Sequence, residues 1–89
     1  MWRRKRHRKR FRKSFYWYKK SAESGSDVAQ YNLGQCYKNG KGVEKDDVKA
    51  FEWYKKSADQ EYIDAQNSLG CCYKNGIGTK KDSKTAVYW

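Results

Sequence analysis

A tandem repeat of 36 residues restricts the fold of this chain more than any other feature. When the 89-residue sequence is shifted by 36 positions, residues 15–50 align with residues 51–86, and 20 of the aligned pairs are identical. The longest identical block, W-Y-K-K-S-A, occupies residues 17–22 and returns at 53–58. A fixed period of this length is typical of proteins that stack one supersecondary unit repeatedly. We therefore expect the fold to be built from copies of a single unit.

Each unit is predicted to contain two helices. Apolar or small residues recur at i, i+4, i+7 and i+8 from Ala29, and at i, i+3, i+4, i+7 and i+8 from Ala50, which is the spacing of one helix face. Asp27 and Asp46 stand where the two helices need N-caps, and Gly40 supplies the left-handed residue that ends the first helix. The same pattern of glycine and aspartate returns 36 residues later.

Two sets of repeated residues are predicted to lie in the core. The aromatic residues that recur on the apolar stripe are expected to be buried: Trp17, Tyr37, Trp53 and Tyr73. Glycines also recur in mid-helix, at Gly34 and Gly70, where each costs about 1 kcal/mol relative to alanine. This cost indicates a place where two helix backbones approach each other closely.

The positive charge of the chain is concentrated in an N-terminal arm. The sequence has 21 Lys and Arg against 10 Asp and Glu, a formal net charge of +11. Nine basic residues lie close together near the N-terminus: Arg3, Arg4, Lys5, Arg6, Arg8, Lys9, Arg10, Arg12 and Lys13. We predict an arm of residues 1–13, either disordered or extending the first helix, and a repeat body of residues 14–89. The body divides into a partial unit (14–26), a full unit (27–60) and an incomplete unit (61–89).

The arm is compatible with several partners. Its cations, interleaved with Trp2, His7 and Phe11, suit nonspecific binding to nucleic-acid phosphates, a nuclear-import signal, or an anionic membrane surface. They equally suit a solvated tail that has no partner. Binding of nucleic acid or anionic lipid through the arm is therefore the alternative function that the sequence leaves open.

Length and hydropathy exclude several classes of protein. A chain of 89 residues has room for one small domain, which argues against a two-domain enzyme. No apolar run approaches the roughly 18 to 20 residues of a membrane span, and no secretory signal follows the charged start. The three cysteines are an odd number in a chain that we expect not to be secreted, and two of them are adjacent, so they do not indicate a disulfide framework. We expect an intracellular, cytoplasmic chain without a transmembrane helix, with a nuclear location open to it through the arm.

The sequence does not indicate catalysis, a metal or a cofactor. Its single histidine, His7, lies in the arm, so no Ser-His or Cys-His pair has a fixed geometry. Cys36 and Cys72 are separated by a whole repeat, and neither has a neighbouring histidine that would complete a zinc site. The segment from Gly34 to Lys41 lacks the spacing and the hydroxyl residue of a phosphate-binding loop. We predict a protein that is not an enzyme and has no cofactor, with Cys71 as the one thiol worth testing for reactivity.

Residues 29–54 carry the pattern A-x-x-x-L-G-x-x-Y-x-x-G-x-G-V-x-x-D-x-x-K-A-x-x-W-Y. In this pattern the chain resembles the Sel1-like repeat, a relative of the tetratricopeptide repeat, and the resemblance extends over residues 15–89. It implies an all-α fold, a short right-handed α-solenoid of stacked antiparallel helix pairs, and a role as an adaptor or scaffold that binds another protein. The second unit departs from the pattern, because Glu61-Tyr62-Ile63 replaces Gly25-Ser26-Asp27 and removes the glycine and the cap of the turn.

The resemblance and the helical phase together point to a binding surface. Helix faces that are not used in stacking line a concave surface, which accepts a peptide or a partner helix. The residues predicted to bind a partner there are Tyr31, Gln35, Lys38, Asn67 and Lys74. The same positions would also suit ordinary solvated side chains. Because solenoids usually need three or more units, we also expect either a fragment of a longer repeat protein or self-association through uncapped repeat ends.

Overall fold

The structure of the chain, a computed structural model, describes the backbone of residues 2–88 and the side chains of residues 13–82 and 84–86. This described part is all-α and contains no β-strand. Five helices follow one another along the chain: α1 (Trp2–Glu23), α2 (Asp27–Asn39), α3 (Asp47–Asp59), α4 (Ile63–Asn75) and α5 (Ser83–Tyr88). They form a short solenoid in which each helix packs mainly against its neighbours in sequence. This stacking confirms the predicted fold class.

The helix boundaries show which caps the sequence specified. Asp46 is the N-cap of α3, as predicted, and its side chain accepts a hydrogen bond from the Lys49 N–H at 3.1 Å. The predicted cap of α2 is wrong by one residue. Ser26 holds the extended backbone that an N-cap requires and accepts a hydrogen bond from the Ala29 N–H at 3.2 Å, so Asp27 becomes the first helical residue.

The helix ends repeat down to individual hydrogen bonds. Gly40 and Gly76 both end their helices in the left-handed conformation, each with φ near 67°, which confirms the predicted C-caps. The loop that follows is held in the same way in both units. The Asp46 N–H donates to the Tyr37 carbonyl at 2.9 Å, and the Asp82 N–H donates to the Tyr73 carbonyl at 2.7 Å. The loops therefore have matching geometry although their sequences differ.

A repeated glutamine joins each helix pair to the one before it. Gln30 on α2 donates from Nε2 to the Ala22 carbonyl at 3.2 Å, near the end of α1. Gln66 on α4 donates in the same way to the Ala58 carbonyl at 3.4 Å. Each glutamine adds a second donor to a carbonyl that already accepts a hydrogen bond from a turn N–H, that of Gly25 in the first turn and of Glu61 in the second. The repeated A-Q pair is therefore explained by the inter-repeat turn.

The second inter-repeat turn places a non-glycine residue in the left-handed conformation. Glu61 takes the place of Gly25 and has φ of 66°, whereas Gly25 has φ of 101°. A residue with a Cβ is strained in this region. Tyr62 occupies the N-cap position of α4 but makes no side-chain capping hydrogen bond. The loss of glycine and cap is thus confirmed, and the turn keeps its shape despite it.

Edge-to-face aromatic pairs recur between the helix pairs. Phe15 meets Tyr37 with ring centroids 5.6 Å apart and planes at 89°, and Phe51 meets Tyr73 at 5.4 Å and 90°. These pairs are related by the 36-residue shift, so α1 packs on α2 as α3 packs on α4. The quadrupoles of the rings favour this arrangement. The predicted packing role of Tyr37 and Tyr73 is confirmed.

The tryptophans do not share that role equally. The side chain of Trp17 is 67% exposed, so its predicted burial is wrong. Trp53 is half-buried, and the Lys56 ammonium lies 4.5 Å from its ring centroid. The reason is the number of neighbouring helices. Among the described helices α1 has one extensive contact, with α2, whereas α3 lies between α2 and α4.

The mid-helix glycine of α2 marks a close approach. A Cβ built on Gly34 would lie 2.8 Å from ring atoms of Tyr54 and 3.3 Å from the Ala50 carbonyl. The contact is therefore mainly with an aromatic ring of α3, in addition to the backbone contact that the sequence predicted.

Across residues 2–88, no helix is both long and apolar enough to cross a bilayer.

Candidate functional site

The predicted binding residues lie on the first helix of each pair, α2 and α4. Tyr31, Gln35 and Lys38 follow one another at i, i+4 and i+7 on α2, and all three are half-buried. Asn67 and Lys74 lie at the positions of α4 that correspond to Tyr31 and Lys38, and both are exposed. We call these five residues the α2–α4 face. Its two halves differ in burial although they share a helical register.

A hydrogen-bond network fixes the α2 half of this face. Gln35 donates from Nε2 to the Tyr31 hydroxyl at 3.0 Å, and its Oε1 accepts a hydrogen bond from the Tyr54 hydroxyl of α3. Tyr54 is fully buried, and burial raises the pKa of its hydroxyl, with Tyr31 adding to the effect. The Tyr54 hydroxyl therefore stays protonated and acts as a donor. The hydrogen bonds to Tyr31 and from Tyr54 hold the Gln35 amide in one orientation.

The Tyr31 ring connects three helices. Its centroid lies 5.8 Å from that of Tyr54 on α3 and 5.5 Å from that of Tyr62, which precedes α4. These tilted contacts hold the ring while part of it stays accessible to solvent. Tyr31 thus contributes to packing as well as to the surface, a double role that helical spacing could not reveal.

The α4 half has no matching network. The residues that correspond to Tyr31 and Gln35 are Asn67 and Cys71, and both are exposed. The two lysines are the common element. Lys38 lies close enough to α4 to oppose, through its charge, the rise in the pKa of the Cys72 thiol that burial causes. The face therefore combines a fixed aromatic and amide half with a more open polar half.

A cleft between α1 and α2 adjoins this face. Its volume is about 220 Å³, and it is lined by Ser14, Tyr18, Asn32, Gln35, Cys36 and Lys41. We call it the Tyr18 cleft. Of its residues, only Gln35 was among those predicted to bind a partner. The identity of Tyr18 with Tyr54 in the repeat alignment was the signal that could have drawn attention to it.

The predicted anion-binding arm lies mostly beyond what the structure describes. The side chains of Arg3, Arg4, Lys5, Arg6, Arg8, Lys9, Arg10 and Arg12 fall outside the described residues. Lys13 is exposed, and with Ser14, Trp17 and Tyr18 it surrounds a shallow depression of about 330 Å³ on α1. An exposed cation and an exposed tryptophan thus lie together at the end of the arm.

The thiols and acids show what chemistry is available. Cys36 and Cys72 are buried, and burial raises the pKa of each thiol. Cys71 is exposed. Within the described residues, no three histidine, cysteine or acidic side chains come together in a way that could hold a metal ion.

Comparison with solved structures agrees with this architecture. A Sel1 repeat protein from Oxalobacter formigenes is 43% identical, with a TM-score of 0.81 over 84% of this chain and 31% of that chain. A protective antigen of uropathogenic Escherichia coli with an SLR fold is 37% identical, with a TM-score of 0.83 over 84% of this chain and 16% of that one. Cysteine-rich protein B of Helicobacter pylori is 35% identical, with a TM-score of 0.80 over 83% of this chain and 56% of that one.

The present chain thus spans between 16% and 56% of the length of these three structures. No curated protein matches it. The family model of the Sel1 repeat matches three consecutive segments, residues 9–26, 27–62 and 63–89. Proteins of this family are generally non-enzymatic scaffolds that mediate protein–protein interactions. From the three matched segments and the shared solenoid fold, we conclude that the chain belongs to the Sel1 repeat family.

Proposed function

We propose that this chain is a protein–protein interaction scaffold that binds a peptide or helix of its partner on the α2–α4 face. The single observation that carries the proposal is the Gln35 network. Gln35 is half-exposed, yet it is fixed by Tyr31 on one side and by the buried Tyr54 on the other. A side chain that is already ordered loses little conformational entropy on binding.

The composition of the face indicates the kind of partner. Tyr31 offers a held aromatic surface, and tyrosine is enriched among the residues that dominate binding energy. Gln35 and Asn67 offer amides that can pair with polar groups of a peptide. Lys38 and Lys74 add two positive charges at equivalent positions of α2 and α4. A partner segment with acidic residues therefore complements the face best.

The setting of this scaffold is part of the same proposal. The chain spans only part of its structural relatives, so it fits a role as one portion of a longer repeat protein. Its cysteines are free, which fits the reducing conditions of an intracellular compartment, the cytoplasm above all. No enzymatic activity and no cofactor are proposed.

A partner-capture experiment with charge reversal tests the proposal. The full chain and its Lys38→Glu/Lys74→Glu variant are used to retain proteins from a native lysate treated with nuclease. Lys55→Glu, an exposed change on α3, is the matched control. We expect a defined protein to bind the original chain and the control but not the double variant. If the double variant retains the same protein, or the control loses it too, the face is not the binding surface.

The basic arm supports a second candidate function, the binding of nucleic acid or anionic lipid. The observation that favours it is the group of nine cations, which ends at the exposed Lys13 beside the exposed Trp17. Nine contacts to duplex DNA would give a slope of log K against log salt of about −8. Titration of the full chain with duplex DNA, and with vesicles containing phosphatidylserine, at several salt concentrations measures this. Binding that does not depend on salt would refute it.

A further inference from the structure

Two positions that correspond in the repeat are buried on α3 and partly or fully exposed on α1. Tyr54 and Ala50 on α3 are both 0% exposed. Their counterparts on α1, Tyr18 and Ser14, are half-exposed and exposed respectively, and both line the Tyr18 cleft. Because the two helices share a repeat register, the environment of Tyr54 shows what a covered Tyr18 would require.

One helix, α2, covers Tyr54 by three contacts. Gly34 leaves room for the Tyr54 ring, because a Cβ at that position would lie 2.8 Å from it. Tyr31, three residues earlier, packs its ring at 5.8 Å from the Tyr54 ring. Gln35, the residue after Gly34, accepts the hydrogen bond of the Tyr54 hydroxyl. The covering helix therefore has an aromatic residue at i, glycine at i+3 and a hydrogen-bond acceptor at i+4.

The opposite wall of the Tyr54 site is already present at Tyr18. Beside Tyr54 this wall is formed by α4, where Cys72 is buried and contributes to the raised pKa of the Tyr54 hydroxyl. The corresponding residue of α2, Cys36, is buried beside Tyr18 and lines the cleft. At the Tyr18 cleft, α1 and α2 therefore present the residues that correspond to those of α3 and α4 around Tyr54.

The rim of the cleft differs from its counterpart in charge at Lys41, whereas the neighbouring Lys13 corresponds to another lysine, Lys49. Lys41 lines the cleft, and the corresponding residue in the second unit is Ile77. Lys13, one residue before Ser14, is exposed next to the cleft. Two cations at the edge of an aromatic site favour a ligand that carries negative charge.

From these observations we propose that the Tyr18 cleft binds an acidic α-helix of a partner protein. This helix places an aromatic residue, a glycine and a hydrogen-bond acceptor against Tyr18. The three residues take the roles that Tyr31, Gly34 and Gln35 of α2 have at Tyr54. The cleft adjoins the α2–α4 face and shares Gln35 with it, but Lys38, Asn67 and Lys74 do not line it. The inference therefore goes beyond the proposed function.

The α2 sequence itself provides the probe. A fluorescent peptide of residues 26–40 carries all three contact residues, and its Gln35→Glu derivative adds the acidic group. Binding of each peptide to the full chain is measured by fluorescence anisotropy at low salt. We expect saturable binding, weakened about tenfold when the peptide carries Gly34→Val, since a branched side chain would meet the Tyr18 ring.

Substitutions in the full chain locate the binding. Tyr18→Ala is expected to weaken the peptide about tenfold and Tyr18→Phe about threefold, because the second change removes only the hydroxyl. Lys41→Glu should weaken the Gln35→Glu peptide more than the parent peptide. Tyr16→Ala is the matched control, since Tyr16 is 66% exposed on the same helix and does not line the cleft. Lys55→Glu, an exposed change on α3, should also leave peptide binding unchanged.

Two results would overturn the inference. The first is that the full chain binds the parent and Gly34→Val peptides equally, or that its Tyr18→Phe and Lys41→Glu variants bind the peptides as well as the original chain does. Circular dichroism verifies that each variant is folded. The second is a concentration-dependent dimer, seen by analytical ultracentrifugation, that Tyr18→Phe or Lys41→Glu abolishes. That outcome would assign the cleft to a second copy of this chain and not to a separate partner.

Discussion

Replacing Glu61 by glycine should stabilise the protein, although it removes an exposed charged side chain. Glu61 has φ of 66°, in the left-handed region, and it occupies the turn position that Gly25 holds in the preceding unit. In this region the Cβ of an L-residue lies too close to the following carbonyl oxygen, which costs about 1 to 2 kcal/mol. Glycine has no Cβ and avoids this strain.

The expected gain is smaller than the strain, because glycine also makes the unfolded chain more flexible. That effect lowers stability by about 0.4 to 1 kcal/mol. The net stabilisation should therefore be about 0.5 to 1 kcal/mol. For a domain of this size it corresponds to a rise in melting temperature of about 2 to 8 °C.

Thermal and urea unfolding followed by circular dichroism measure this gain. Glu61→Ala is the matched control, because it removes the charge and the side chain but keeps the Cβ. We expect little or no gain from it. Gly25→Ala should do the reverse of Glu61→Gly and destabilise the protein, because Gly25 has φ of 101°. No atom lies within 4 Å of an added Cβ, so this variant tests backbone strain without a steric clash. If Glu61→Ala stabilises as much as Glu61→Gly, backbone strain at this turn is not the cause.

Three further predictions follow from the core. Gly34→Ala should destabilise the protein by up to about 2 kcal/mol in urea unfolding, because overpacking against Tyr54 outweighs the gain in helix propensity of about 1 kcal/mol. A stabilised variant would contradict this. Burial raises the pKa of the Tyr54 hydroxyl above its usual value near 10. The buried, protonated hydroxyl therefore makes its full contribution to stability below about pH 10. This contribution is lost as pH rises further, because the unfolded chain gives up the proton first. Tyr54→Phe should therefore lose less stability than the original chain between about pH 9 and pH 11, and equal losses would contradict the assignment. A thiol reagent should label the exposed Cys71 rapidly in the folded protein, and Cys36 and Cys72 only on unfolding; fast labelling of all three would show that the core is open.

The caps and turns were largely predictable because their causes are local. Asp46 caps α3 through a hydrogen bond to the N–H three residues later, and Gly40 adopts a backbone conformation that other residues rarely allow. The cap of α2 was misplaced by one residue because Ser26 and Asp27 are both suited to the position. Only the backbone conformation of Ser26 distinguished them.

The candidate site was less predictable because its contacts are distant in sequence. Helical spacing placed Tyr31 and Gln35 on one face of α2. It could not show that Tyr54, 19 residues after Gln35, donates a hydrogen bond to its side chain. Nor could it show that Tyr62 packs against Tyr31. The Tyr18 cleft was missed for the same reason, since it lies between two helices.

The 36-residue unit, its two helices and their glycine C-caps could be predicted from the sequence, because spacing, capping and glycine conformation act over a few residues. The environment of each repeated residue depends on how the helices pack. Tyr54 is fully buried and its counterpart Tyr18 is half-exposed, although both stand in the same local sequence. The physical reason is that burial depends on how many helices pack around a residue. Here α3 lies between two helices, whereas the one extensive contact of α1 among the described helices is with α2.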